Sequence, residues 1–92
     1  MQNSRTDELH TELQDWLRAH LAEELRVPAG AIDPAEPMSA YGLDSVQAIT
    51  LLTEVEEHMG FEIDPNALWE YPTVAAFTGL LVDQLTARSA RN

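Results

Sequence analysis

The 92-residue chain contains no cysteine. That absence excludes disulfides, thiolate catalysis and cysteine-based zinc sites, and it fits a reducing compartment. Lysine is absent too: the basic residues are Arg5, Arg18, Arg26, Arg88 and Arg91. None lies between Arg26 and Arg88, an interval that holds ten carboxylates, and the net charge is −11. Such a surface repels nucleic acid and anionic membranes, because contacts to their phosphates need cations. It either attracts partners with basic patches or serves solubility alone. No apolar run approaches the length of a membrane span, and the opening MQNSRTDEL lacks the apolar stretch of a secretory signal. The expectation is a soluble, cytoplasmic protein, monomeric by default for so charged a small domain.

Strand alternation, internal repeats and low-complexity runs are also missing. What remains reads as helix. Ser4 or Thr6 caps a first helix, on which Leu9, Leu13, Trp16, Leu17, Leu21 and Leu25 form one stripe. Val27-Pro28 ends it, because the residue before proline disfavours helix. The loop VPAGAIDPAEPMSAYGL follows, long for a small domain, with Ile32, Met38, Tyr41 and Leu43 as inward anchors. A second helix runs from Asp44 or Ser45 to Met59, with Gln47 completing a variant capping box and Gly60 stopping it. Asp64-Pro65 opens a short third helix, which Tyr71-Pro72 breaks. Thr73 caps a fourth, reaching about Thr86, with Val74, Phe77, Leu81 and Leu85 on its apolar face and Leu80 beside it. The terminal SARN should fray. The fold class is thus all-α, with three longer helices, one short third helix and a long loop between the first two.

The second helix raises a question at AYGLDSVQAI, residues 40–49. Why does a serine, Ser45, stand where a tight turn becomes a helix, with no base nearby? On a helical wheel Ala48, Leu51, Leu52, Val55 and Met59 share one side, at about 100° per residue. Val46 lies roughly 150° from the centre of that side. It faces outward with Thr50, Thr53 and Glu57, and Glu54 lies beside them. An exposed valine beside an oddly placed serine suggests a docking contact.

Hydrolase chemistry at Ser45 fails on several grounds. The nucleophile-elbow pattern needs glycine two residues to either side, where this chain has Leu43 and Gln47. His58 lies on the same helix, about 20 Å of rise away. His10 and His20 are on the first helix, with nothing to aim them at Ser45. Glu54/His58 and His20/Glu24 have i,i+4 spacing for weak chelation, but such pairs are usually solvated neighbours. EF-hand spacing and a phosphate-cradling glycine-rich loop are absent. Two readings of Ser45 stay open. It is a helix cap, or it is modified, since a helix N-terminus offers free N–H groups and a positive dipole end to a phosphate.

Tyr41-Gly42-Leu43-Asp44-Ser45-Val46 closely resembles the attachment motif of acyl carrier proteins, particularly those of polyketide synthases, where the pattern is Gly-x-Asp-Ser and an apolar residue. The resemblance runs from about Leu9 to Leu85. It includes Ile32-Asp33-Pro34 in the loop and the junction Leu68-Trp69-Glu70-Tyr71-Pro72-Thr73 before the last helix.

The resemblance implies a four-helix acyl-carrier-type bundle over residues 6–87, with flexible ends at 1–5 and 88–92. It implies that a phosphopantetheinyl transferase moves 4′-phosphopantetheine from coenzyme A onto Ser45, and that the arm holds acyl or polyketide intermediates as thioesters. The chain would then be no enzyme but a shuttle among acyl-loading, ketosynthase and acyltransferase-type partners with basic docking patches. Partner contacts would fall on Leu43, Asp44, Val46, Glu54 and Glu57. Ser45 needs no base of its own, because another enzyme brings one. Leu43 stands where peptidyl carriers more often have a second glycine, which favours the acyl class. Leu51 stands where carriers serving β-branching enzymes often have tryptophan, so that role is not expected. The initiating Met and full helix set suggest a free-standing carrier. Trp16 and Trp69 are expected in the core, with a groove for the acyl chain as the other reading. The alternatives are a peptidyl carrier of nonribosomal peptide synthesis and an unmodified acidic helical adaptor.

Overall fold

The computed structural model describes residues 4–90. Helix α1 spans Ser4–Leu25, α2 Ser45–Met59, α3 Ala67–Glu70 and α4 Val74–Ala90. No strand occurs among the described residues, and none of their helices is long and apolar enough to cross a membrane.

Leu13, Leu17, Leu21 and Ala22 are the buried face of α1, with Leu9, Trp16 and Leu25 packed at its margins. The helix stops one turn before Pro28. Arg26 takes a left-handed φ of 61°, and the Val27 N–H reaches back to the Ala22 carbonyl at 3.0 Å. This is the six-residue closure that satisfies end carbonyls, made here by a residue other than glycine.

The long loop is more ordered than its prolines suggest. Two short 3₁₀ turns, Ala29–Ala31 and Met38–Tyr41, lie within it. Ile32 and Met38 are buried, and the Tyr41 and Leu43 side chains pack against the core. The Tyr41 hydroxyl accepts the Asp33 N–H at 2.7 Å. The Met38 N–H donates to the Pro72 carbonyl, and the Ala75 N–H to that of Pro34, which pins the loop to the start of α4. Prolines offer carbonyls but no N–H, so they serve here as acceptors only.

Ala48, Leu51, Leu52 and Val55 face inward on α2, and Gly60 closes the helix with φ 84°. The Glu56 carboxylate then accepts the Ile63 N–H at 2.8 Å and turns the chain back. Helix α3 begins at Ala67, two residues after the expected Pro65. Asp64 does not cap it. Its carboxylate accepts the Asn66 N–H and its carbonyl the Ala67 N–H, so Asp64-Pro65 form a turn before the helix. Thr73 caps α4 as expected, its hydroxyl accepting the Ala76 N–H at 3.0 Å. That helix runs past Thr86 to Ala90, so Ser89 and Ala90 of SARN are helical, while Arg91 and Asn92 lie outside the described residues. Val74, Phe77, Thr78, Leu81 and Val82 are its buried residues, and Leu85 is only half-buried.

Candidate functional site

The start of α2 is built from local rules. Gly42 sits at φ 85°, a conformation that strains any residue with a Cβ, and it turns the chain out of the Met38–Tyr41 3₁₀ turn. Asp44 is extended and caps the helix: its carboxylate accepts the Gln47 N–H at 2.8 Å, and the Asp44 N–H donates to Gln47 Oε1 at 3.1 Å. The first intrahelical bond runs from the Ala48 N–H to the Asp44 carbonyl. The capping box therefore uses the end groups of residues 44 and 47. It leaves out the Ser45 hydroxyl and the N–H groups of Ser45 and Val46, and both of those residues are exposed.

An apolar groove of about 240 Å³ opens beside this serine. Ala48, Ile49 and Leu52 of α2 line it opposite Pro65, Leu68 and Trp69, and Ser45 forms part of the wall. No histidine or carboxylate belongs to that lining. His20 lies elsewhere, with Nδ1 3.2 Å from Glu54 Oε1. His58 is stacked on Trp16, ring centroids 4.1 Å apart. The i,i+4 pairing of Glu54 with His58 is thus replaced by one between helices.

Of the expected partner-contact residues, Leu43, Asp44 and Val46 adjoin Ser45. Val46 is 74% exposed, as its wheel position required. Leu43 is half-buried against the core, and the Asp44 carboxylate is held in the cap. Glu54 and Glu57 lie further along α2. Glu57 is exposed, whereas Glu54 is half-buried and tied to α1 through His20. The hydroxyls of Thr50 and Thr53 bond back to the Val46 and Ile49 carbonyls, so they are satisfied within the helix.

Trp69 corrects the expectation of a core aromatic. It is 63% exposed on the groove, while Ala67 and Leu68 take the two inward positions of a helix only four residues long. Trp16 is half-buried between His20 and His58. Ile49, also 63% exposed, was absent from the sequence reading, although it lies one helical turn beyond Val46 on the outward side.

The family model described as "Phosphopantetheine attachment site" matches residues 15–81. The chain is 31% identical over 83 residues to polyketide synthase PksL of Bacillus subtilis and 43% identical over 83 residues to polyketide synthase ThaQ of Burkholderia thailandensis. Those alignments cover 90% and 89% of this chain but only 2% and 4% of the synthases. A free-standing peptidyl carrier protein from Acinetobacter baumannii superposes with a TM-score of 0.80 at 34% identity, covering 83% of this chain and 95% of that one. Polyketide and peptidyl carriers thus both stand among its relatives. The chain belongs to the phosphopantetheine attachment family, helical-bundle carrier domains whose cofactor is covalently held 4′-phosphopantetheine.

Proposed function

We propose that Ser45 carries the 4′-phosphopantetheine arm and that the chain is an acyl carrier of polyketide assembly. One observation carries this reading: the Ser45 hydroxyl is exposed at the first position of α2, outside the capping box and on the rim of an apolar groove without a base. The residues fit a phosphodiester there. The N–H groups of Ser45 and Val46 lie outside the capping box at the positive end of the helix, and both offset negative charge. Modification forms one bond, from Ser45 Oγ to phosphorus, and breaks one P–O bond in the pyrophosphate of coenzyme A, with adenosine 3′,5′-bisphosphate as the leaving group. A separate transferase supplies the base that takes the hydroxyl proton. Once bound, the arm supplies a thiol for thioester linkage. The chain's own part is to present Ser45 in a fixed turn and to offer an apolar wall beside it, with Ile49 and Trp69 toward the arm and its cargo.

Leu43, Asp44, Val46, Glu54 and Glu57 form the docking surface for the transferase and for acyl-loading, ketosynthase and acyltransferase-type enzymes with basic patches. The net charge of −11 supports this choice of partner and opposes self-association, in keeping with a cytoplasmic monomer. The likeness to the Acinetobacter peptidyl carrier supports a second reading, an aminoacyl carrier. Loading by an adenylation enzyme separates the two.

The test is an intact mass spectrum after incubation with coenzyme A and a promiscuous phosphopantetheinyl transferase, beside Ser45→Ala. The parent gains one phosphopantetheine and the variant none. No gain in a folded parent, with the transferase active on another carrier, leaves Ser45 as a helix residue and makes the acidic adaptor the leading function.

A further inference from the structure

Gln47 makes three hydrogen bonds, two to Asp44 at the cap of α2 and one to the end of α1. Its own N–H donates to the Asp44 carboxylate at 2.8 Å. Its Oε1 accepts the Asp44 N–H at 3.1 Å. Its Nε2 donates to the Glu24 carbonyl, in the last turn of α1, at 3.1 Å. The first two bonds are an ordinary capping box. The third is not part of any cap of α2. At the end of α1 the Ala22 and Glu23 carbonyls are taken by the N–H groups of Val27 and Arg26. The Glu24 carbonyl has no such partner and receives the Gln47 amide instead. The two contacts of the side chain have opposite polarity, and the amide, with an acceptor and a donor at its end, satisfies both.

Ser45 lies between Asp44 and Gln47, and its backbone is held on each side by this arrangement. We propose that Gln47 is a positioning residue for the modification of Ser45, tying the start of α2 to the end of α1 so that Oγ is presented in one place. The inference rests on Ser45 being the attachment residue. Phosphoryl transfer needs the hydroxyl in line with the bond that breaks, and a displacement of about 1 Å can cost on the order of a hundredfold in rate. The capping box acts within α2, and the core and the His20–Glu54 contact hold the helix to α1 further along. The Glu24 contact adds a tie at the very start of α2, beside Ser45, across a sequence separation of 23 residues.

Gln47→Glu separates the two functions. The carboxylate still accepts the Asp44 N–H, so the capping box is kept, but it has no hydrogen to donate to the Glu24 carbonyl. Gln47→Met lacks both bonds. Steady-state kinetics of modification by the transferase are measured for the parent, both variants and Ser45→Ala, at a temperature where circular dichroism shows each chain fully folded. The expected result is a kcat lowered about five- to tenfold in both variants, with KM within about twofold of the parent. Parental kcat for Gln47→Glu overturns the inference, since the cap alone would then suffice. A raised KM at unchanged kcat also overturns it, because Gln47 would be a contact for the transferase. A loss of rate that follows only the unfolded fraction assigns the residue to stability and overturns it likewise. A parent that gains no mass instead refutes the assignment of Ser45, an outcome distinct from the other three.

Discussion

His20 Nδ1 lies 3.2 Å from Glu54 Oε1, so a carboxylate of the outward-facing side of α2 is held by the neighbouring helix. His20 in turn packs on Trp16, ring centroids 4.1 Å apart, and Trp16 carries His58 on a further ring contact. Glu54 is therefore engaged before any partner arrives. Glu57, in the last turn of α2 and exposed, has no such tie among the described residues.

Glu57→Lys and Glu54→Lys should both slow modification by the transferase, more at low salt than at high, because exposed charge pairs are screened. The Glu57 change should be the larger, roughly tenfold at low salt. Rates equal to the parent at low salt for both variants would remove the acidic face from docking.

Trp69 is exposed, so Trp69→Ala should change stability by less than about 0.5 kcal/mol in urea unfolding. Phe77→Ala, at a fully buried site, should cost about 3–5 kcal/mol. Loading an aliphatic acyl group should shift the tryptophan emission of the parent, and Trp69→Phe should abolish that shift while Trp16 remains. Emission that shifts equally without Trp69 would place the cargo elsewhere.

Arg26 holds a left-handed φ of 61° at the end of α1, and its side chain is exposed. That conformation costs a non-glycine residue about 1–2 kcal/mol, partly offset by the extra entropy glycine loses on folding. Arg26→Gly should therefore stabilise the protein by about 0.5–1 kcal/mol, read as a higher urea midpoint at unchanged slope.

Thr78 is fully buried on α4, and its hydroxyl has no hydrogen-bond partner among the described residues. Val has nearly the same shape without the unsatisfied group, so Thr78→Val should stabilise by about 1 kcal/mol. A lower melting temperature for this variant would show that the hydroxyl has a partner in solution.

Much of the fold follows from contacts close along the chain. The bounds of α2 follow from Asp44, Gln47 and Gly60, and the start of α4 from Pro72 and Thr73, because caps and helix stops act over three or four residues. The outward position of Val46 follows from helical periodicity alone. The prominence of Ser45 was legible for the same reason: a free hydroxyl at a helix start needs only the local pattern to be seen. The late start of α3 was missed although it is local too. Asp64 had two competing uses, cap or turn, and its own i+2 amide took it.

The sequence by itself determined the helices, their order, the acidic surface and the turn that exposes Ser45, since each depends on composition or near neighbours. Only the tertiary structure decided that Trp69 and Ile49 stand exposed on a groove beside Ser45, that Glu54 is bound to His20, and that Gln47 reaches Glu24. Those relations join residues 23 and 34 positions apart, or set one helix against another. Periodicity shows which face of a helix is apolar. It does not show which neighbour covers that face, and at this site the uncovered part is the groove beside Ser45.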